Sequence, residues 1–154
     1  MKILMVCLGN ICRSPLAQGI LESKISQKNL NWEVDSSGTS AWHEGEQPDS
    51  RSIEIARENQ IKISHQRARQ FKLKDFEQFD LILAMDTENY NYLIQIAPNQ
   101  YLQKVNMIMN FLYPGENQVV PDPYYNGGFQ FVYDLLDKAC DALIAEYITE
   151  TKVP

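Results

Sequence analysis

The chain begins with a short, uninterrupted run of aliphatic residues, and this run limits the possible folds more than any other feature. Residues 2–6 show no polar alternation, which is typical of a strand buried on both faces. A loop containing Gly9 follows, and then Ser14 and Pro15, a hydroxyl residue and a proline that favour a helix start. A strand, a short loop and a helix in this order predict the first unit of a parallel sheet covered by helices.

The rest of the chain repeats this alternation. Further strands are predicted over residues 32–37, 80–85 and 105–109, and helical segments over residues 14–28, 48–59, 73–78, 86–98 and 132–147. The last helix has the clearest helical spacing of apolar residues, and segment 113–128 before it is rich in turn formers. We therefore expect an α/β fold: one three-layer domain, with a central, twisted, four-stranded parallel sheet and helices on both faces.

Composition supports one domain covering residues 1–154. With 44% hydrophobic residues, the chain can bury one self-sufficient core. A net charge of -6 argues against nucleic acid as a partner, because phosphate backbones bind basic surfaces. There is no apolar run long enough for a membrane span, and the three cysteines do not suggest a secreted disulfide framework. We expect a cytoplasmic monomer with no membrane partner.

The loop after the first strand carries the chemistry. A loop of this length can wrap its backbone N–H groups around a tetrahedral oxyanion at the start of a helix. Gly9 and Asn10 tolerate the left-handed backbone that such a loop requires. Arg13 would complete the cradle with a planar charged fork, above a Cys7 sulfur that the positive surroundings favour as a thiolate. The pattern indicates phosphoryl transfer to sulfur, with no metal and no cofactor.

Two residues of this loop have alternative interpretations. The Ser14 hydroxyl can hydrogen-bond the Cys7 sulfur, or it can cap the helix, and the two roles are compatible. Cys12 is either a small buried residue or the partner of Cys7 in a reversible disulfide. The sequence favours neither alternative in either case.

The run Val6-Cys7-Leu8-Gly9-Asn10-Ile11-Cys12-Arg13-Ser14-Pro15 resembles the phosphate-binding loop of the low molecular weight protein tyrosine phosphatases. A second family hallmark, Asp-Pro-Tyr, is matched by Asp122-Pro123-Tyr124 near the start of the last helix. Shorter matches continue the resemblance at 34–37, 45–49, 63–65, 68–70 and 84–86. The resemblance implies hydrolysis of phosphotyrosine through a cysteinyl-phosphate.

The resemblance also implies roles for individual residues. Cys7 would be the nucleophile, Asp122 the general acid and base, and Arg13 the ligand of the phosphate oxygens. The phosphate would lie against the remaining loop residues, which are Leu8, Gly9, Asn10, Ile11, Cys12 and Ser14. Three aromatic residues would form the walls and rim of the pocket: Trp42, Tyr124 and Tyr125.

Two further residues would support the loop rather than contact substrate. The resemblance assigns Ser36 and His65 to hydrogen bonds that fix the Asn10 side chain. His43 matches no family role, and we interpret it as a solvated loop residue. The partners implied are phosphotyrosine proteins or peptides.

Other functions fit these residues less well. An arsenate reductase of the same fold needs further redox cysteines after the third strand, and residues 83–88 contain none. A phosphocysteine carrier needs neither an arginine fork nor a distant acid, whereas this chain has both Arg13 and Asp122. A non-catalytic phosphate- or phosphotyrosine-binding protein needs neither the nucleophile nor the acid, and both are present here. A metal site on Cys7 and Cys12 is disfavoured by the adjacent charge of Arg13.

Overall fold

The predicted strands form a single parallel sheet. A computed structural model describes the backbone of residues 1–152 and the side chains of residues 1–148. The strands are β1 (Lys2–Cys7), β2 (Glu33–Gly38), β3 (Leu81–Ala84) and β4 (Val105–Met107). They lie in the order β2-β1-β3-β4, and all neighbouring pairs are parallel.

Helices connect the strands and cover both faces of the sheet. They are α1 (Arg13–Gln27), α2 (Ser50–Glu58), α3 (Asp75–Gln78), α4 (Thr87–Ile96), α5 (Pro123–Asn126) and α6 (Phe129–Lys152). Two 3₁₀ turns, Asn99–Lys104 and Ile108–Phe111, flank β4. No helix in the described part of the chain has the length and apolar character needed to span a membrane.

Side chains of β1 point alternately into two hydrophobic cores, which explains its uninterrupted apolar run. Ile3 and Met5 pack with α1, α2 and α6 on one face of the sheet. Leu4 and Val6 pack on the other face, where α3 and α4 contribute buried side chains such as Phe76. The three-layer α/β fold expected from the sequence is confirmed.

The structure corrects the predicted elements in two places. The fourth strand ends at Met107, because residues 108–111 turn into a 3₁₀ helix. The segment 113–128 is not entirely irregular, since Asp122 caps the short helix α5 and Pro123 begins it. This is the same pattern of cap and proline that predicted the start of α1.

The strand order places the candidate site. The chain leaves β1 toward β2 on one side of the sheet and later adds β3 on the other side. In an open parallel sheet, ligands bind at the carboxyl ends of the strands where the order reverses direction. The loop that follows Cys7 lies at this point.

Candidate active site

We call residues 7–14, which run from the end of β1 into α1, the phosphate-binding loop. Its turn depends on Asn10, whose φ of +58° lies in the left-handed region that asparagine tolerates. Gly38, at the end of β2, passes so close that a Cβ built on it would lie 2.7 Å from the carbonyl oxygen of Leu8. The loop is therefore shaped by a left-handed residue of its own and by a glycine of the neighbouring strand.

Backbone hydrogen bonds hold the loop from outside. The donors are N–H groups of the segment that follows β2, and the acceptors are loop carbonyls. The pairs are Thr39 to Cys7 at 2.9 Å, Ser40 to Leu8 at 3.0 Å and Asp49 to Ile11 at 2.7 Å. The long connection between β2 and α2 is thus the outer support of the phosphate-binding loop.

The Cys7 sulfur lies at the base of this loop and is surrounded by donors. Its Sγ is 3.0 Å from the Ser14 hydroxyl, and the Asn10 backbone N–H donates to it at 3.3 Å. Cys7 is buried at the end of β1, next to the N-terminus of α1. Hydrogen bonds and a helix N-terminus both favour a negatively charged sulfur.

The structure separates the two interpretations of Ser14. The helix begins at Arg13 with Cys12 in the capping position, and no side chain makes a capping hydrogen bond there. The Ser14 hydroxyl instead contacts Cys7 and accepts a hydrogen bond from the Asn10 side chain at 2.7 Å. Its position favours a role at the sulfur.

Asn10 is the centre of the buried network below the loop. Its side-chain amide donates to Ser14 and, at 3.0 Å, to the Ser36 hydroxyl, as expected. Its carbonyl oxygen accepts the backbone N–H of Arg69 at 3.0 Å. The expected contact with His65 is wrong: His65 is exposed, and among the described residues it makes no hydrogen bond to Asn10. Both amide hydrogens of Asn10 are already used by the two serines.

The guanidinium of Arg13 is buried, with 3% of its side chain exposed, and held in a fixed plane. Nη1 donates to Asp86 at 2.7 Å and to the carbonyl oxygen of Val120 at 2.9 Å, while Nη2 lies 3.6 Å from the Asp122 carboxylate. Burial alone lowers the pKa of Arg13, but the negative charges of Cys7, Asp86 and Asp122 outweigh it and raise the pKa. Arg13 therefore stays charged beside the sulfur.

Asp122 belongs to a second loop, residues 121–128, which we call the acid loop. One oxygen of Asp122 accepts the backbone N–H of Tyr124 at 3.0 Å, and the side chain remains 31% exposed. Asp122 lines the same cleft as Cys7 and Arg13. A sulfur and a guanidinium from one loop thus meet a carboxyl group from a distant part of the sequence at one opening.

Aromatic side chains surround this opening. Trp42, Tyr124 and Tyr125 line the cleft, as the sequence predicted, and Trp42 and Tyr125 are 75% and 78% exposed. His43 lines it as well, with its Nδ1 2.6 Å from a carboxylate oxygen of Glu46. The interpretation of His43 as a purely solvated residue is wrong, because its ring packs against the phosphate-binding loop at Gly9.

The other two cysteines are buried thiols with raised pKa values. Burial, reinforced by nearby negative charges including Asp49, raises the pKa of Cys12 to about 12. Cys140 lies on α6 and is completely buried in the hydrophobic core, and this burial raises its pKa to about 12. All three cysteines are free thiols. In the described part of the chain, no three or more His, Cys, Asp or Glu side chains cluster as a metal site would require.

Two site residues were missed or only partly interpreted from the sequence. Asp86 is the first residue of the helix predicted over 86–98, and it accepts the Asn89 N–H as the helix cap, but its second oxygen also holds Arg13. Its position immediately after β3 was the available signal, since β3 ends beside β1. Arg69 supports Asn10 through its backbone, so no property of its side chain could have indicated this role.

Comparisons with known proteins agree on one family. The family model of low molecular weight phosphotyrosine protein phosphatases matches residues 2–153. A Schizosaccharomyces pombe protein with that family name is 38% identical over 84% of this chain and 85% of its own length. The low molecular weight protein-tyrosine-phosphatase YfkJ of Bacillus subtilis is 35% identical over 99% of both chains. A crystal structure of an Entamoeba histolytica protein tyrosine phosphatase covers 99% of both chains at 40% identity, with a TM-score of 0.91.

Proposed function

Because the chain belongs to the low molecular weight phosphotyrosine protein phosphatase family, we propose that it hydrolyses phosphotyrosine and small aryl phosphates, with Cys7 as nucleophile. The observation that carries this proposal is one cleft lined by Cys7, Arg13 and Asp122. Membership of the family supports the activity, and the geometry of the cleft supports the proposed residue roles.

In the first step, the Cys7 thiolate attacks phosphorus in line with the ester oxygen. An S–P bond forms and the P–O bond to the tyrosine breaks, while protonated Asp122 gives its proton to the departing phenolate oxygen. The products are a cysteinyl-phosphate and a free tyrosine side chain. The Asp122 carboxylate remains beside the intermediate.

In the second step, water attacks the phosphorus of the cysteinyl-phosphate. Asp122 takes a proton from this water, an O–P bond forms and the S–P bond breaks. Inorganic phosphate leaves, and Cys7 returns to the thiolate. The Ser14 hydroxyl, 3.0 Å from Sγ, stabilises the sulfur as a leaving group.

The transferred phosphoryl group carries its charge on three equatorial oxygens. Arg13 and the backbone N–H groups of the phosphate-binding loop are the donors for them, together with the N-terminus of α1. Asp86 and Val120 fix the guanidinium before substrate arrives. Donors that are already oriented cost no reorganisation during the reaction.

The substrate class follows from the cleft walls. Leu8 and Ile11 line the cleft together with Trp42 and Tyr124, and their side chains add apolar surface to it. A flat aromatic phosphate ester gains contact area between such walls, whereas a serine or threonine phosphate leaves them without a ring to cover. We infer a preference for phosphotyrosine over phosphoserine and phosphothreonine.

The remaining assignments accompany this function. The reaction uses only side chains and water, so we propose that no metal or cofactor takes part. We also propose that residues 1–154 act as one domain, as a cytoplasmic monomer. A net charge of -6 supports a partner other than nucleic acid, and we propose no membrane partner.

The test is phosphate release from a phosphotyrosine peptide and from p-nitrophenyl phosphate, with EDTA present. We expect turnover that Cys7→Ser abolishes without loss of inorganic phosphate binding, while Cys140→Ala, a change in the core of α6, keeps it. Full activity of Cys7→Ser would show that Cys7 is not the nucleophile. An absence of turnover would favour a carrier or binding protein, and arsenate reduction would favour the reductase.

A further inference from the structure

The acid loop has few attachments to the rest of the protein. Its internal hydrogen bonds join Tyr124 N–H to Asp122 and Gly127 N–H to the Pro123 carbonyl. Gly127 and Gly128 both have positive φ values, and a Cβ built on either would meet nothing within 4 Å. The Asp122 carboxylate lies 3.6 Å from Arg13, but the backbone of the acid loop needs a further contact outside the loop to stay in place.

Arg51, in the first turn of α2, provides such a contact. Its Nη2 donates to the carbonyl oxygen of Tyr124 at 3.1 Å. Its guanidinium carbon lies 5.6 Å from the centre of the Tyr124 ring and 4.7 Å from that of Phe129, the first residue of α6. These distances allow cation–π attraction on both sides of the glycine pair.

Asp49 fixes Arg51 from the other side. Its carboxylate accepts two hydrogen bonds, from Nε and Nη2 of Arg51, both at 3.0 Å. These hydrogen bonds are the main reason that the pKa of Asp49 lies below its usual range. A planar fork held by both oxygens has little freedom to rotate.

Asp49 is itself attached to the phosphate-binding loop. Its backbone N–H donates to the Ile11 carbonyl at 2.7 Å. Phe129 packs against the same loop, since it contacts the cluster of Ile11, Cys12 and Ala68. A continuous path of contacts therefore runs from the phosphate-binding loop through Asp49 and Arg51 to the backbone of the acid loop.

We propose that Arg51 is a positioning residue that holds the acid loop in register with the phosphate-binding loop, so that Asp122 reaches the leaving-group oxygen. This role rests on the proposed function of Asp122 as general acid. Arg51 does not touch the sulfur or line the cleft, and it acts through Tyr124.

The test compares a poor leaving group, phenyl phosphate, with a better one, p-nitrophenyl phosphate. Loss of Asp122 proton transfer harms poor leaving groups most, because their oxyanions need the proton. We expect Arg51→Ala to lower kcat/KM, which reports the step that releases the leaving group, by about tenfold for phenyl phosphate and by less than about threefold for p-nitrophenyl phosphate. Arg51→Lys, which keeps the charge but not the fork, should fall between wild type and Arg51→Ala.

The matched control is Arg57→Ala. Arg57 lies on the same helix and is paired only with Glu54 in the described contacts, with 74% of its side chain exposed. Arg57→Ala should leave kcat/KM for both esters unchanged. If Arg51→Ala fails to fold, Arg51→Gln carries the same comparison, since it removes the charge and the fork but keeps the side-chain stem.

The Asp122→Asn variant distinguishes a failure of the proposed Arg51 role from a failure of Asp122 as the general acid. In that background Arg51→Ala should add no further leaving-group dependence, since both changes remove the same proton transfer. Equal losses for both esters, or a full additional loss in the double variant, would overturn the role of Arg51 alone. If Asp122→Asn itself lowers kcat/KM equally for both esters, the assignment of Asp122 as general acid is wrong, and the proposed role of Arg51 is wrong as well.

Discussion

The phosphate-binding loop and the acid loop meet over the same cleft but are built in opposite ways. In the first, Cys7, Asn10, Arg13 and Ser14 are all buried, and short hydrogen bonds join Ser14 to Cys7 and to Asn10. In the second, Tyr125 is 78% exposed and two glycines have free space around them. The difference shows which part of the reaction needs fixed donors and which part needs access.

Charge stabilisation benefits most from fixed geometry, because donors that must reorient during the reaction lose their advantage. Proton delivery to a leaving group imposes a different requirement, since the same loop must admit the substrate and release the product. A buried loop for the charge and a lightly attached loop for the proton satisfy both requirements.

The largest effect lies within the phosphate-binding loop itself, between its two cysteines. With a pKa of about 12, Cys12 is a thiolate in only about one molecule in 10⁵ at neutral pH. Iodoacetamide should therefore alkylate Cys7 and leave Cys12 and Cys140 unmodified, and saturating phosphate should protect Cys7. Peptide mapping by mass spectrometry measures this, and native-state alkylation of Cys12 at a rate near that of Cys7 would contradict it.

The next effect tests the fixed plane of Arg13. Arg13→Lys keeps the charge but cannot hold Asp86, Val120 and two phosphate oxygens at once, so kcat/KM should fall by about a thousandfold. Arg57→Lys is the control, since Arg57 lies on the exposed face of α2. A loss below about tenfold for Arg13→Lys would mean that charge alone suffices and that the fixed plane is unimportant.

A backbone test of the same loop is Gly38→Ala. The added Cβ would lie 2.7 Å from the Leu8 carbonyl oxygen, so the loop must shift, and we expect kcat/KM to fall by about thirtyfold. Gly19→Ala is matched in chemistry, because its Cβ would overlap the Ile63 side chain, away from the cleft. Both changes should lower Tm, but only Gly38→Ala should lower kcat/KM of the folded protein; equal activity losses would remove the special role of Gly38.

The smallest effect is expected at the rim of the acid loop. Tyr125 is largely exposed, so Tyr125→Ala should change KM for p-nitrophenyl phosphate by no more than about twofold and leave Tm unchanged. A large rise in KM for this small ester would show that Tyr125 folds over bound substrate, and that the acid loop is more closed in the complex than in this structure.

Much of the fold could be predicted because the information is local. The apolar run of β1 and the proline near the start of α1 are local signals, and both elements appear near their predicted bounds, although Ser14 does not cap the helix. The 3₁₀ turn after β4 could not be predicted, because its apolar residues look like a continued strand. Helix α5 was missed although its start has a local signal, since four residues are too few to show periodicity.

In the candidate site, too, residues that are close in sequence could be predicted, and residues brought in by tertiary packing could not. The phosphate-binding loop is one continuous segment, so its residues could be named together from the sequence. Asp86 contacts Arg13, His43 lines the cleft and Arg51 contacts the acid loop. All three contacts depend on the packing of distant elements, so the residue types alone do not predict them. His65 was assigned by resemblance, but the Arg69 N–H occupies the Asn10 carbonyl oxygen instead.

If Cys7, held by the phosphate-binding loop, accepts the phosphoryl group before water does, a cysteinyl-phosphate can be trapped during turnover. The measurement is rapid acid quench of the enzyme with p-nitrophenyl phosphate, followed by peptide mapping. We predict one phosphoryl group on Cys7 and none on Cys12, with a larger share trapped in Asp122→Asn, whose second step lacks its base. Turnover without phosphate on Cys7, or phosphate on another side chain, would contradict it.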